Sequence, residues 1–250
     1  MVDDIKKVVL ITGCSSGIGK KLSEVLKKDY KVYSTSRKSN SKNIIKMDVT
    51  KDKEIHEVIN EIIKKEKRID ILINNASYGH YGSLETLTNK QVKDMFNTNF
   101  FGTVRVIKKI IPIMKKQKIG KIINISSVAG IIGSRYISIY SASKFAIEGL
   151  SESLYEELKQ FGIAVKIVNF GFTKDTNFGK NIIKGKKQVK FKDYVRYHKE
   201  RKSIPINKII KIIISAIEDD SNRFRYISDK NTKKRLSKKI DISKVPKYLE

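Results

Sequence analysis

Tyr140 and Lys144 stand four residues apart in Tyr140-Ser141-Ala142-Ser143-Lys144. On a helix that spacing projects both side chains from one face. A free tyrosine, with a pKa of about 10, is a poor base near neutrality. An ammonium beside it favours the phenolate, and a tyrosine tuned in this way can trade a proton with an alcohol or a carbonyl oxygen. Ser127 lies thirteen residues before Tyr140, just past the apolar run Ile122-Ile123-Asn124-Ile125. That run reads as a buried strand, which puts Ser127 at a strand's carboxyl end, where open α/β sheets hold their ligands. Tyr-x-x-x-Lys alone is common, and a half-buried tyrosine beside a solvated lysine is its plainer reading. The company the pair keeps decides between the two.

A second signal lies near the N-terminus. Val8-Val9-Leu10-Ile11 is a short apolar, β-branched run, and Thr12-Gly13-Cys14-Ser15-Ser16-Gly17-Ile18-Gly19 follows it, ahead of an amphipathic stretch through Lys28. This is strand, glycine-rich turn, helix. The glycines let backbone approach a phosphate, and the helix N-terminus favours its negative charge. The spacing is Gly-x-x-x-Gly-x-Gly rather than Gly-x-Gly-x-x-Gly, and no Gly-Lys-Ser/Thr follows, so it is not a P-loop.

With these residues in order, the chain resembles the short-chain dehydrogenase/reductase family of the small single-domain type. The likeness runs from Val8 to about Thr176, and more loosely to Tyr226. It rests on five motifs. They are Thr12 to Gly19, Asp48-Val49-Thr50, Asn74-Asn75-Ala76-Ser77, Asn99-Phe100-Phe101-Gly102, and Ser127 with Tyr140 and Lys144. The resemblance implies catalytic roles for Asn99, Ser127, Tyr140 and Lys144. Tyr140 would be the general acid for ketone reduction. Lys144 would lower its pKa and bond the nicotinamide ribose, and Ser127 would donate to the substrate oxygen. Asn99 would hold a water that relays protons; its plainer reading is a helix kink or a cap for a neighbouring loop. Ser126 adjoins Ser127, but strand alternation sends the two to opposite sides, and the family spacing selects Ser127.

The implied cofactor site takes Gly13, Ser15, Ser16, Gly17, Ile18 and Gly19 from the turn, and Asp48, Val49, Asn75 and Ala76 from later strand ends. Tyr140 and Lys144 join it, as does Gly171. Thr173 and Thr176 compete for the carboxamide. Cofactor choice turns on the second strand, Val32-Tyr33-Ser34-Thr35-Ser36-Arg37. Folds that prefer NAD commonly end this strand in Asp or Glu, for the ribose hydroxyls. Here Ser36 takes that place and Arg37 follows, with Lys38 next. A guanidinium can bind a 2′-phosphate bidentately, so NADP(H) is expected over NAD(H). Two departures from the family pattern bear on the site. Phe170-Gly171 stands where Pro-Gly is usual, and Ser77 replaces a glycine, which would stiffen that turn or demand a strained backbone.

The elements that must carry these residues alternate regularly. Strands are expected at 8–12, 31–35, 43–47, 69–73, 121–125 and 163–169, with a short seventh near Arg223-Phe224-Arg225-Tyr226. Helices are expected at 17–28, 52–66, 89–117, 138–160 and 207–218. Short apolar run, turn, amphipathic stretch, repeated, argues for an α/β fold: a Rossmann-type, doubly wound parallel sheet with helices on both faces, three layers in one domain over 1–250. Residues 177–206 break the rhythm and read as a substrate loop. About 230–250 read as a basic, flexible tail.

Composition sets the outer bounds. The chain has 250 residues, 40% of them hydrophobic, enough for one sizeable core. Cys14 is the only cysteine, so no intrachain disulfide can form, and a cytoplasmic, reducing location is expected. The start, Met1 to Lys7, does not read as a signal peptide, and no run reaches the ~20 apolar residues of a membrane helix. No metal ligand set is expected. The net charge of +27 concentrates late, with 22 Lys/Arg against 8 Asp/Glu over 180–250. A basic arm for nucleic acid or an anionic membrane is one reading. Compositional lysine bias is the preferred one, since the tail lacks the aromatic interleaving of single-strand binders.

The expected activity is NADP(H)-dependent interconversion of a small-molecule carbonyl and an alcohol. A 3-oxoacyl carrier-protein reductase is the nearest alternative, and a non-catalytic NADP-sensing or nucleic-acid-binding Rossmann protein is the alternative of another class. The segment Asn74 to Thr88 resembles the subgroup of retinol- and steroid-type dehydrogenases. The resemblance also implies a homo-oligomer joined through the helices near 89–117 and 138–160. Phe100, Val104, Ile107, Ile111 and Met114 on the first, and Phe145, Leu150, Leu154 and Leu158 on the second, are the apolar residues available for it.

Overall fold

The structure, a computed structural model, describes residues 6–38, 43–173, 183–184 and 203–239. Most of the expected substrate loop, Thr176, and positions 240–250 of the expected tail lie outside these residues.

The first half of the chain runs β1 (Val8–Ile11), α1 (Gly17–Leu26), β2 (Lys31–Ser36), β3 (Ile45–Lys46), α2 (Asp52–Glu66) and β4 (Ile71–Asn74). The second half runs β5 (His80–Tyr81), α3 (Asn89–Phe96), α4 (Gly102–Gln117), β6 (Gly120–Ile125), α5 (Ser138–Lys159) and β7 (Ile163–Asn169). Then come β8 (Ile183–Lys184), α6 (Ile206–Glu218), β9 (Arg225–Ile227) and α7 (Lys230–Lys239). Seven strands form one sheet in the order β3-β2-β1-β4-β6-β7-β9, every neighbour parallel. The order reverses between β1 and β4, and ligands of such sheets bind outside the carboxyl ends at that point. β5 and β8 pair separately as a two-stranded parallel ribbon.

The continuous apolar runs are explained by burial on both faces, as a parallel sheet covered by helices requires. Val8 and Leu10 enter one core with Leu72, Ile122 and Val165, against Ile55 of α2, Ile107 of α4 and Leu154 of α5. Val9 and Ile11 point the other way, with Ile71, Ile73 and Ile123, against Leu22 of α1 and Ile213 of α6. The expected three-layer, doubly wound fold is therefore the observed one.

Three local features differ from the expectations. The helix over 89–117 is not uniform: between α3 and α4 it widens into a π-helical turn, Asn97–Phe101. The start of the basic tail is the helix α7, whose first turn is capped by Asp229, with the Thr232 N–H donating to Oδ1 at 2.8 Å. Ser77 carries no backbone strain, because positive φ among the described non-glycine residues occurs only at Lys67, Lys118 and Tyr136. Of the apolar residues set aside for an oligomer contact, Ile107, Met114, Leu154 and Leu158 are consumed by the subunit's own core. Phe145 remains exposed, as does Phe101. Among the described residues no helix is long and apolar enough to cross a membrane.

Candidate active site

A cleft of about 800 Å³ opens at the carboxyl ends of the central strands. Its floor at one end is the glycine turn between β1 and α1. Gly13 has φ +75°, and a Cβ there would lie 2.7 Å from the Ala76 Cα; at Gly19 a Cβ would lie 2.4 Å from the Gly13 carbonyl oxygen. Only glycines let the turn fold this tightly. Thr12 and Asn75 lock it from behind. The Thr12 Oγ1 accepts the N–H groups of Asn75 and Ala76, each at 3.0 Å, while the Asn75 amide donates to the carbonyls of Thr12 and Gly13 at 2.9 and 3.0 Å. Ser15, Ser16, Gly17 and Ile18 line the cleft, and the N-cap Ser16 makes no side-chain cap bond, leaving the first-turn N–H groups of α1 for an anion. Gly19 and the Asn75 amide thus shape the turn. Cys14 is buried beneath it with its thiol pushed up to about 12 by desolvation, so it stays protonated.

Beyond β2 the cleft is lined by Ser36, Arg37, Asp48 and Val49. Arg37 is exposed at the rim. Asp48 is held in place by Thr50, whose backbone N–H and hydroxyl donate to Oδ1 at 2.9 and 2.8 Å.

The other end gathers residues that are far apart in sequence. Ser127 follows β6, Tyr140 and Lys144 lie on the first turns of α5, and Phe170, Gly171 and Thr173 follow β7; all line the cleft. Lys144 is 3% exposed, and its Nζ donates to the Ile125 carbonyl at 2.9 Å and sits 5.9 Å from the centre of the Tyr140 ring. Burial pushes its ammonium down to about 8, with Glu148, one turn along α5, opposing the shift. The lysine therefore keeps its charge at neutral pH. The Ser127 Oγ accepts the Ala129 N–H at 3.1 Å, and its own contact, to the Phe170 carbonyl, is long at 3.5 Å. A hydroxyl proton held so loosely is available to a ligand oxygen. The neighbouring Ser126 is different: its hydroxyl donates to Glu148, which also accepts from Asn169 and Arg225.

Asn99 sits in the π-helical turn, 1% exposed, and is not a lining residue. Its amide accepts the Tyr78 N–H at 3.0 Å and donates to the Tyr78 carbonyl at 2.9 Å and to the Ser143 hydroxyl at 3.1 Å. Its side chain thus caps the loop after β4. Tyr78, Ile137 and Phe172 add an apolar wall beside Tyr140, which no motif had marked.

The donor set fits a nicotinamide dinucleotide. The glycine cradle has the shape and the free N–H groups that a phosphate requires, and the Thr173 Oγ1 is buried without a partner among the described residues while lining the cleft beside Gly171. A buried hydroxyl with no partner is costly unless a ligand group, such as a carboxamide, meets it.

Known proteins agree with this geometry. The model of the short chain dehydrogenase family matches residues 7–187. The chain is 45% identical to the 3-ketodihydrosphingosine reductase of Bacteroides thetaiotaomicron over 182 residues, 68% of this chain and 67% of that protein. It is 38% identical to retinol dehydrogenase 8 of Bos taurus over 187 residues, 67% of this chain and 59% of that protein. Among solved structures, ElxO with NADP bound superposes with a TM-score of 0.74 at 29% identity, covering 89% of this chain and 98% of that one. Parallel sheet, glycine turn and a Ser-Tyr-Lys cleft thus occur in a chain whose sequence matches one family over most of its length: this protein belongs to the short-chain dehydrogenase family.

Proposed function

We propose that the protein is an NADP(H)-dependent oxidoreductase that interconverts a carbonyl compound and an alcohol. The observation that carries this reading is the convergence of Ser127, Tyr140 and Lys144 on the same cleft as the glycine turn. The cofactor, when bound, supplies or accepts the two electrons of the reaction. In reduction, the Ser127 hydroxyl donates to the substrate oxygen and holds it beside the tyrosine. Tyr140 gives its proton to that oxygen as charge develops there. The Lys144 ammonium, fixed by the Ile125 carbonyl, favours the phenolate left behind. Arg37 at the rim, with no carboxylate at the end of β2, supports NADP(H) over NAD(H). The apolar wall of Tyr78, Ile137 and Phe172 supports a substrate with a large hydrocarbon part, as do the ketodihydrosphingosine and the retinol in the names of the two relatives.

The deciding measurement is NADPH oxidation against 3-ketodihydrosphingosine, retinal and a simple aliphatic ketone. Tyr140→Phe removes only the hydroxyl, so kcat is expected to fall by about 10²–10⁴-fold with NADPH affinity unchanged. Activity within a few-fold of wild type would sink the assignment. Arg37→Ser is expected to weaken NADPH by roughly 10- to 150-fold, the worth of one charge-assisted bond, and to leave NADH nearly unaffected. If both cofactors weaken equally in titrations, Arg37 does not read the 2′-phosphate and the preference for NADP(H) is wrong.

A further inference from the structure

The first turn of an α-helix leaves its N–H groups without partners inside the helix, and an N-cap Ser, Thr, Asp or Asn normally accepts one of them. α5, which carries Tyr140 in that turn, has Ile137 at its N-cap. Isoleucine has no side-chain oxygen, and the N-cap position supplies no side-chain bond. The Tyr140 N–H nevertheless has an acceptor: the imidazole Nδ1 of His80, at 3.3 Å, from sixty residues earlier in the chain.

His80 is fully buried. An Nδ1 that accepts a hydrogen bond carries no proton, so the ring is neutral with its proton on Nε2. Desolvation favours that neutral ring, pushing it down to about 4. The Nε2 has no partner among the described residues. The contact its ring makes among the described residues is the one at Nδ1. Its backbone lies in β5, paired with Ile183 of β8, so the ring stands where the outlying ribbon meets the catalytic helix.

We propose that His80 is a positioning residue for Tyr140: its imidazole takes the place of the missing N-cap of α5 and fixes the turn from which the tyrosine hydroxyl is presented. The proposal rests on Tyr140 being the proton donor of the reaction. Loss of the acceptor leaves the cofactor and substrate sites intact but frees the first turn of α5. Small displacements of a reacting group are costly, so the effect falls on kcat.

Three variants of the full-length chain separate the acceptor from the volume it occupies. His80→Leu keeps bulk and removes the acceptor; His80→Asn places an amide oxygen near the Nδ1 position; His80→Gln carries its oxygen one bond too far. With NADPH and the best carbonyl compound of the panel above, His80→Leu and His80→Gln are expected to lose about 10- to 100-fold in kcat, at nearly unchanged KM and NADPH affinity. His80→Asn is expected to stay close to wild type. Equal losses in Leu and Asn, full kcat in Leu, or KM and NADPH affinity deteriorating together with kcat would overturn the proposal. A measurement on the unmutated protein does not depend on the variants folding or on turnover. In ¹⁵N spectra of its three histidines, the signal missing from any His80 variant is expected to report protonated Nε2 and bare Nδ1 from about pH 8 down to about pH 5. The opposite tautomer or an imidazolium in that range would overturn it. A wild type inactive on every carbonyl with either cofactor refutes the oxidoreductase reading instead, and the tautomer still decides the Nδ1 contact.

Discussion

Lys144 is charged at neutral pH in a buried site, and the cost of that charge belongs to the folded state. Burial pushes its pKa down to about 8 from 10.5. Between those two values the unfolded chain holds a proton that the folded chain has released, so stability rises with pH across that window. Below about 8 the lysine is charged in both states and the full penalty of desolvation remains. Such opposition between folding and chemistry is common where a group is held for its charge. Lys144→Met removes the titration and keeps the bulk. In urea unfolding of the cofactor-free protein, the stability of the variant relative to wild type is expected to decline from pH 7 to pH 10, as wild type sheds its buried charge. The other lysines titrate in both proteins and drop out of the difference. A relative stability of the variant that stays constant or rises over that range would mean that the ammonium is better solvated than its burial implies. Enzyme activity should be lost in the variant at every pH.

At the scale of elements, what the sequence made legible was local chemistry. Val8–Ile11 and the turn after it could be read because β-branched runs and glycines at fixed spacing have few other uses. Ser127, Tyr140 and Lys144 fell on the expected strand end and helix for the same reason. What stayed hidden depends on contacts across the chain. The apolar period continues on both sides of the π-helical turn, so nothing in 89–117 marks the widening; it became visible only with Asn99 clamped to Tyr78. Asn75 carried a family motif, but its grip on the glycine turn requires β4 to lie beside β1. The seventh strand, β9, lies one or two residues later than the expected Arg223–Tyr226, because its edge position gives it only a short apolar signal. The helix α7 is almost entirely polar, and composition alone reads such a segment as a tail; its start is set by the Asp229 cap.

At the scale of the whole molecule, the outer faces of α4 and α5 are the surfaces that a second subunit would cover. The exposed stripe of α5 is Ala142, Phe145, Gly149 and Ser153, small residues around one phenylalanine that is 37% exposed. Phe101, 47% exposed, lies at the entrance to α4. The outer face of α4 is basic, with Lys108, Lys109, Lys115 and Lys116, whereas that of α5 is acidic toward its end, with Glu156 and Glu157. At a net charge of +27, like helices would repel in a two-fold contact, but α4 of one subunit against α5 of the other would pair opposite charges. We expect a homo-oligomer built on that crossed contact. Gly149→Arg tests it, because a Cβ at Gly149 meets nothing within 4 Å in the subunit. In a monomeric protein the change would leave the mass alone and stabilise α5 by about 1 kcal/mol, since glycine is a poor helix former. In the crossed oligomer the new side chain meets the partner's basic α4. Sedimentation at micromolar concentration is then expected to give more than the 28.7 kDa monomer for wild type and the monomer for the variant. Added salt should weaken the wild-type association, because opposite charges hold it together. Salt that strengthens it would mean like helices face each other, and a wild type that sediments as a monomer would refute the contact altogether.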